Sequence, residues 1–328
     1  MENTGKNKYL CISCKKDYLK YSVNTENQET ILGCSYCGIS IPIKNGIPRF
    51  VPYDNYSDSF GYQWNIFIKT QLDSYTKKNI SRDRVYRVTK FDEKTDLSDK
   101  NFLEAGSGAG RFTEILAKTN TNLYTFDFSS AINANKLNNS KYKNINFFQA
   151  DVLDIPFKDC HFDFIFCLGV IQHTQYPYKT FQSLVRKLKP GGVIFIDVYS
   201  KKWHTFFWLK YIFRPITKRI DQVKLYNLVC KVVPFLIPFS RLSRKLFGHL
   251  GARIIPIVEY THLGLDKKMN RDWAILDTFD MYSPAHDHPQ SLRTVQKWFI
   301  NSGFTDIEVF YGDNGVVGRG KKPFKEPE

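Results

Sequence analysis

The sequence predicts an α/β protein: a doubly wound, largely parallel sheet, preceded by a small cysteine-bearing domain and interrupted by one long helical insertion. Three observations carry this expectation. From residue 100 onward, short apolar runs alternate with helical segments ("NFLEAG", "RFTEILAKT", "NLYTFDF", "AINANKLNN", "INFFQADV", "FDFIFCLG", "YKTFQSLVRKL", "GGVIFIDVY"), as expected for parallel strands joined by crossover helices. Four cysteines near the N-terminus form two C-x2-C pairs. About ninety residues separate the fifth strand, ending near Ser200, from the last helix, starting near Gln290, where connections of a few residues are usual.

The cysteine pairs come first. Cys11, Cys14, Cys34 and Cys37 leave a 19-residue gap between two knuckles, and two such knuckles brought together by a hairpin supply the four thiolates that a closed, structural Zn2+ site takes. Residues 1–52 are therefore read as a zinc ribbon. Its end, "GISIPIKNGIPRFVP", alternates Ile41, Ile43 and Ile47 with turn residues and reads as a last strand plus a linker. Cys160, Cys167 and Cys230 are flanked by apolar residues and read as core. The start "MENTGKNKYLCISC" lacks the basic-then-apolar pattern of a secretory signal, and no 18-residue window is uninterruptedly apolar, so the expected location is cytoplasmic. Disulfides are correspondingly the weaker reading of the cysteines.

Ligands of doubly wound sheets bind beyond the C-terminal strand ends. The first such end is "EAGSGAG", where Gly106, Gly108 and Gly110 allow a tight turn and close backbone approach. A dinucleotide fingerprint would want glycine where Arg111 stands. Asp127 ends the next strand, 21 residues after Gly106, where a carboxylate can accept hydrogen bonds from both hydroxyls of a ribose. Asp151 follows the third strand, with Val152 and Ile155 placed to flank a flat base; "CLGVIQHT" follows the fourth.

These sites in this order resemble class I S-adenosylmethionine-dependent methyltransferases, closely over residues 100–200 and again at "WFINSGFTDIEVFYGDNGVVGRG", which looks like that fold's last helix and its sixth and seventh strands. The resemblance implies a Rossmann-like seven-stranded sheet with the last strand antiparallel, and S-adenosyl-L-methionine as cofactor. It implies donor-binding roles for Glu104, Ala105, Gly106, Gly108, Gly110, Asp127, Phe128, Asp151, Val152, Leu168 and Gly169. Within the family, Glu104 would serve the methionine amino group through its loop, Asp127 the ribose, and Asp151 with Val152 the adenine. The whole chain is similar to bacterial methyltransferases with an N-terminal zinc ribbon in which "NGIPRF" and "SFGYQW" recur. The core would comprise residues 53–200 and 260–322, with residues 201–259 inserted after the fifth strand.

Methyl transfer from a sulfonium asks mainly for in-line placement, with a base where the acceptor must lose a proton. His173 is the candidate base, its alternative role being to pack against or orient the donor. "CLGVIQHT" lacks the Asn/Asp-Pro-Pro-aromatic run of amino-methylating nucleic-acid enzymes and looks like small-molecule methyltransferases instead. Further acceptor candidates are Tyr62 and Trp64, in a segment with Tyr56 and Phe60 that reads as closing over the donor, and His262, Tyr282 and His286. The expected activity is O- or N-methylation of a small-molecule, glycan or lipid-linked acceptor. Methylation of ribosomal or transfer RNA, and a non-catalytic module that recruits a partner or membrane, are the alternatives.

The net charge of +15 is uneven: residues 200–258 hold 12 Lys and Arg against one acid. Prolines at 215, 234, 238 and 256 are expected to cut this stretch into short helices. Leu242, Leu246 and Leu250 form one stripe, with basic residues on other faces and Trp203, Phe206, Phe207 and Trp208 nearby. The insertion therefore reads either as an acceptor cap with solvated lysines or as a contact with an anionic surface, placing the chain peripherally on the inner face of a membrane; RNA is a third partner.

Overall fold

A computed structural model describes residues 9–23, 29–51, 58–202 and 209–324. Trp203, Phe206, Phe207, Trp208 and Tyr56, together with the Phe60 and Leu250 side chains, lie outside the described set.

Four short antiparallel strands open the chain: β1 (Lys20–Val23), β2 (Thr30–Gly33), β3 (Ser40–Lys44) and β4 (Ile47–Pro48). The four cysteine sulfurs lie within 4.8 Å of one another, with Cys11 and Cys37 Sγ 3.6 Å apart and Cys14 and Cys34 Sγ 3.7 Å apart. A tetrahedron of ~2.3 Å zinc–sulfur bonds has sulfur–sulfur edges of about 3.8 Å, so the donor set fits zinc. Among the described residues, the end of the ribbon does not run free as a linker. Beyond β4 the chain pairs directly with the main sheet, Arg49 opposite Gln149 and Phe50 N–H donating to the Gln149 carbonyl at 2.9 Å. Tyr9, Phe50, Phe148 and Phe157 then form one aromatic cluster with centroids 5.2–6.3 Å apart. The apolar residues that would close a separate ribbon core are spent on the sheet instead.

Three helices follow, α1 (Asp58–Ile66), α2 (Asp73–Thr76) and α3 (Ile80–Thr89). The sheet is built from β5 (Asn101–Ala105), β6 (Asn122–Asp127), β7 (Ile145–Gln149), β8 (Phe162–Leu168), β9 (Leu188–Val198), β10 (Thr305–Tyr311) and β11 (Val316–Lys321), in the order β10-β11-β9-β8-β5-β6-β7. β5 to β9 pair in parallel, and β11 runs antiparallel to both β9 and β10. The sheet is covered by α4 (Thr113–Leu116), α5 (Ile132–Asn139), α6 (Pro177–Lys187) and α10 (Leu292–Asn301). "LKPGG" forms a bulge within β9: Phe162 faces Leu188 but Phe164 faces Val193.

The insertion forms α7 (Leu209–Thr217) and α8 (Gln222–Ile254), and α9 (Lys267–Tyr282) packs with them. The prolines do not divide it as expected. Pro215 sits inside α7, and Pro234 and Pro238 inside α8, whose dihedrals depart from helical only at Gly248 (φ 57°, ψ −133°). Each internal proline costs roughly 3 kcal/mol. Leu225, Val229, Val233 and Ile237, spaced four apart and buried against Ala274, Ile275 and Phe279 of α9, return ~1.5–3 kcal/mol apiece. Packing is thus of the size needed to offset the two breaks in α8, and α9, which extends to residue 282, packs on it as part of the cap.

Candidate active site

The strand ends β5, β6, β7 and β8 open into one cavity of about 770 Å3, roofed by the cap. At the end of β5, Gly106 and Ser107 N–H both donate to the Phe126 carbonyl (2.9 and 3.1 Å), locking the turn to β6. Gly106 has φ +73°, and a Cβ there would lie 2.3 Å from Val170 Cγ2, so only glycine lets the floor close. Gly108 N–H donates to Asp127 Oδ2 at 2.9 Å, while Asp127 Oδ1 accepts from Ser129 N–H and Oγ at 2.9 and 2.6 Å. The carboxylate is thereby fixed in orientation. Burial pushes its pKa up, and these hydrogen bonds pull it back.

Asp127, Phe128, Asp151, Val152, Leu168 and Gly169 all line the cavity with Gly106 and Gly108. Asp151 is held by Leu153 N–H at 2.8 Å. Gly169 N–H donates to Asp197 Oδ1 at 2.7 Å, and Asp197 Oδ2 pairs with Arg84 of α3.

Three expected donor residues stand behind this surface. Glu104 is buried under the loop: its Oε2 accepts from Thr113 and Thr125 Oγ1 (2.5 and 2.8 Å), and burial raises its pKa to about 7. Ala105 is buried in the strand. Gly110, at φ +87°, would place a Cβ 2.1 Å from Asn135 Oδ1 and 2.4 Å from Asn139 Nδ2, so it serves helix packing. Asn135 in turn donates to Thr113 and Thr125 Oγ1, and Asn139 to the Gly110 carbonyl. The acid and the third glycine thus brace the turn from beneath and make no part of the cavity wall.

His173 does line the cavity. Its Nδ1 lies 3.1 Å from the His286 carbonyl; a carbonyl only accepts, so Nδ1 carries the proton and Nε2 the lone pair. Burial holds its pKa below the ordinary imidazole range, which keeps the ring neutral near pH 7. Among the acceptor candidates, Trp64 lies against Gly108 and His262 faces the cavity. Tyr62 packs instead against Tyr226 and Phe279 (centroids 5.6 and 6.4 Å), Tyr282 is buried with its hydroxyl donating to the Pro256 carbonyl, and His286 stacks on His288. None of these three side chains lines the cavity. Tyr62 and Tyr282 are taken up by cap packing, and His286 by the loop that follows α9.

The roof brings further residues together. Tyr260 and Trp273 Nε1 (3.1 Å) both donate to Asp277 Oδ2, and Gln71 Nε2 donates to Oδ1 at 3.0 Å; burial lifts the Asp277 pKa to about 6. Tyr199 donates to Asp280 Oδ2 at 3.0 Å. Arg111 donates to Ser81 Oγ and Gln71 Oε1 and lies over the Phe112 and Trp273 rings (4.8 and 5.6 Å), with its pKa pushed down by burial to about 10. Lys210 pairs with Asp287 at 2.7 Å and lies over Tyr199. Tyr199 directly follows the fifth strand, so the strand-end rule would have found it. Tyr260, Trp273 and Asp277 meet only through the α8–α9 packing and have no local signal.

A family described as "Methyltransferase domain" matches residues 103–196, the segment that builds this floor. Residues 103–196 therefore carry a methyltransferase domain, on a seven-stranded sheet with the strand order and antiparallel last strand of the class I methyltransferase fold. S-adenosylmethionine is the cofactor of these methyltransferases, and the domain fits it: a glycine cradle without side chains beside a pre-oriented carboxylate. The chain is similar to the tRNA U34 carboxymethyltransferase of Nautilia profundicola, 31% identical over 136 residues, which cover 40% of this chain and 42% of that protein. It is also similar to the ubiquinone biosynthesis O-methyltransferase of Coxiella burnetii, 24% identical over 138 residues, 40% of this chain and 59% of that protein. The matched segments thus span less than two thirds of either relative. A solved S-adenosylmethionine-dependent methyltransferase from Aquifex aeolicus aligns over 82% of this chain and 97% of its own, at 13% identity and a TM-score of 0.41.

Proposed function

We propose that the protein transfers a methyl group from S-adenosylmethionine to an oxygen or nitrogen of a small-molecule, glycan or lipid-linked acceptor held beneath the cap. The observation that carries this reading is the continuity of the cavity, from the Gly106–Gly108 floor and Asp127 to the chamber of Tyr199, Tyr260, Trp273 and His173. Its volume of about 770 Å3 suits small molecules or a headgroup. The bound donor supplies the activated methyl. Asp127 would hold the ribose and Asp151 with Val152 the base, and the aromatic wall would exclude water. His173 Nε2 takes the proton that the acceptor releases. Arg84 and Arg111 favour an anionic group on donor or acceptor.

RNA methylation is the second reading, favoured by the +15 net charge and by the name of one relative. Calorimetry tests the donor site: Asp127→Ala should abolish S-adenosylmethionine binding, and unchanged affinity would sink the assignment. Radiolabelled donor incubated with protein and cell extract, fractionated into lipid, polar, polysaccharide and RNA pools, tests the acceptor. Label confined to RNA would overturn the first reading in favour of the second.

A further inference from the structure

The cap carries an apolar surface on its outer side that the methyl-transfer site does not use. Along α8 the buried stripe of Leu225, Val229, Val233 and Ile237 faces α9. A second stripe, Leu228, Val232, Phe235, Phe239, Leu242 and Leu246, is exposed, with Phe235 at 68% and Leu246 at 64%. Its spacing of three and four residues keeps it on one line, roughly 120° around the axis from the buried stripe and about 27 Å long. Lys224, Lys231, Arg241 and Lys245, all exposed, flank it. On α7, Ile212, Phe213 and Ile216 are likewise exposed, followed by exposed Lys218 and Arg219. Lys210 and Tyr211 of the same helix line the cavity.

We infer that the outer face of α7 and α8 docks on the surface of an anionic lipid bilayer, lying in the plane of the interface. Charge complementarity selects this occupant: a linear apolar stripe edged by lysine and arginine, in a segment with 12 basic residues and one acid, matches acyl chains below and anionic headgroups beside them. A second copy of the chain would oppose the two cation rows to each other. RNA would leave the mainly aliphatic stripe in water. The Gln222–Gly248 stretch is long and apolar enough to span a membrane, yet one side is packed on α9 and its lysines interrupt the other, which an in-plane helix accommodates and a spanning one does not. Because α7 belongs to both surfaces, docking sets the cavity roof against the bilayer and favours the headgroup of an amphiphile as the acceptor. That consequence rests on the methyl-transfer reading.

The test uses the full-length, zinc-loaded protein without donor, so its failure is separable from a failure of turnover. Flotation with phosphatidylcholine vesicles containing about 30% phosphatidylglycerol should recover the protein, pure phosphatidylcholine far less, and added salt should weaken recovery. F235E/L246E, at two exposed positions, should lower apparent vesicle affinity ~tenfold or more, with unchanged circular dichroism, zinc content and donor affinity. Wild-type protein that stays unbound, or a variant that floats equally well, would overturn the proposal. So would loss of a dimer in the variant by size-exclusion chromatography, or tight salt-sensitive binding to an RNA homopolymer without vesicle binding.

Discussion

Replacing Glu104 by glutamine isolates one buried carboxyl and reads its environment as a pH-dependent stability. The wild-type side chain is 1% exposed, accepts two hydroxyl hydrogen bonds at Oε2 and has no partner at Oε1. Burial raises its pKa from 4.5 to about 7. A folded pKa above the unfolded one means that the native state holds its proton longer. The group's full stability is therefore present below pH 4.5 and is lost as pH rises through about 7. The displacement corresponds to about 3 kcal/mol in full, of which ~2–3 kcal/mol falls between about pH 5 and about pH 8. The E104Q side chain would keep an oxygen for Thr113 and Thr125 but would not titrate. Urea unfolding of zinc-loaded, donor-free protein at several pH values should show wild type losing that amount relative to E104Q as pH rises. Other titrating groups, the ribbon thiols included, cancel in the difference between the two proteins. A difference that stays flat with pH would refute the assignment of a buried, proton-holding acid beneath the loop.

His173→Gln should lower kcat by roughly 10²–10³ and remove the acid limb of the pH profile, which lies below pH 6.5 because burial depresses the wild-type pKa; donor affinity by calorimetry should not change, and an unaltered rate would exclude the base. The same depressed pKa makes wild-type stability fall as pH drops below 6.5, a slope that H173Q should lack. Gly110→Ala, with its Cβ 2.1 Å from Asn135 Oδ1 at φ +87°, should cost about 2–4 kcal/mol in denaturant unfolding. Elemental analysis should find one zinc per chain, and its removal by chelation should lower the melting temperature of the whole protein, because Tyr9 and Phe50 of the ribbon pack on Phe148 and Phe157 of the sheet domain. A core that melts unchanged would show the ribbon to be energetically separate.

The floor of the site was legible because its signals are local. A glycine that needs positive φ, an acid that ends a strand, and cysteines three apart each announce a backbone or ligand requirement within a few residues of themselves; for that reason Gly106 and Asp127 line one cavity, and the four cysteines gather with one another in the ribbon. Where a single residue type could serve two ends, the sequence could not choose between them. Glu104 and Gly110 occupy motif positions yet spend their chemistry on Thr113, Thr125 and Asn135. Tyr62, Tyr282 and His286 were reasonable wall residues, but the cap's own core or its neighbouring loop took them. The prolines misled for a related reason: local breaking cost was weighed without the long-range stripe on α9 that offsets it.

The same contrast separates what the site must keep from what it can change. Asp197, at the end of β9, accepts from Gly169 N–H at 2.7 Å and pairs with Arg84 of α3, so one carboxylate ties the helix before the sheet to the turn after β8. Arg84 Nε is buried without a partner and the arginine lines the cavity, which makes this tie part of the floor as well as its brace. No comparable link joins α8 to the strand ends among the described residues; α8 holds α9, and α9 in turn supplies Trp273, Asp277 and Asp280 to the chamber. A sequence change on the α8–α9 seam can therefore reshape the acceptor chamber while leaving Gly106, Asp127 and Asp197 where they are. Val233→Ala, at a fully buried seam position, should loosen acceptor binding and raise KM with donor affinity unchanged. A matching loss of donor affinity would show that roof and floor act as one unit.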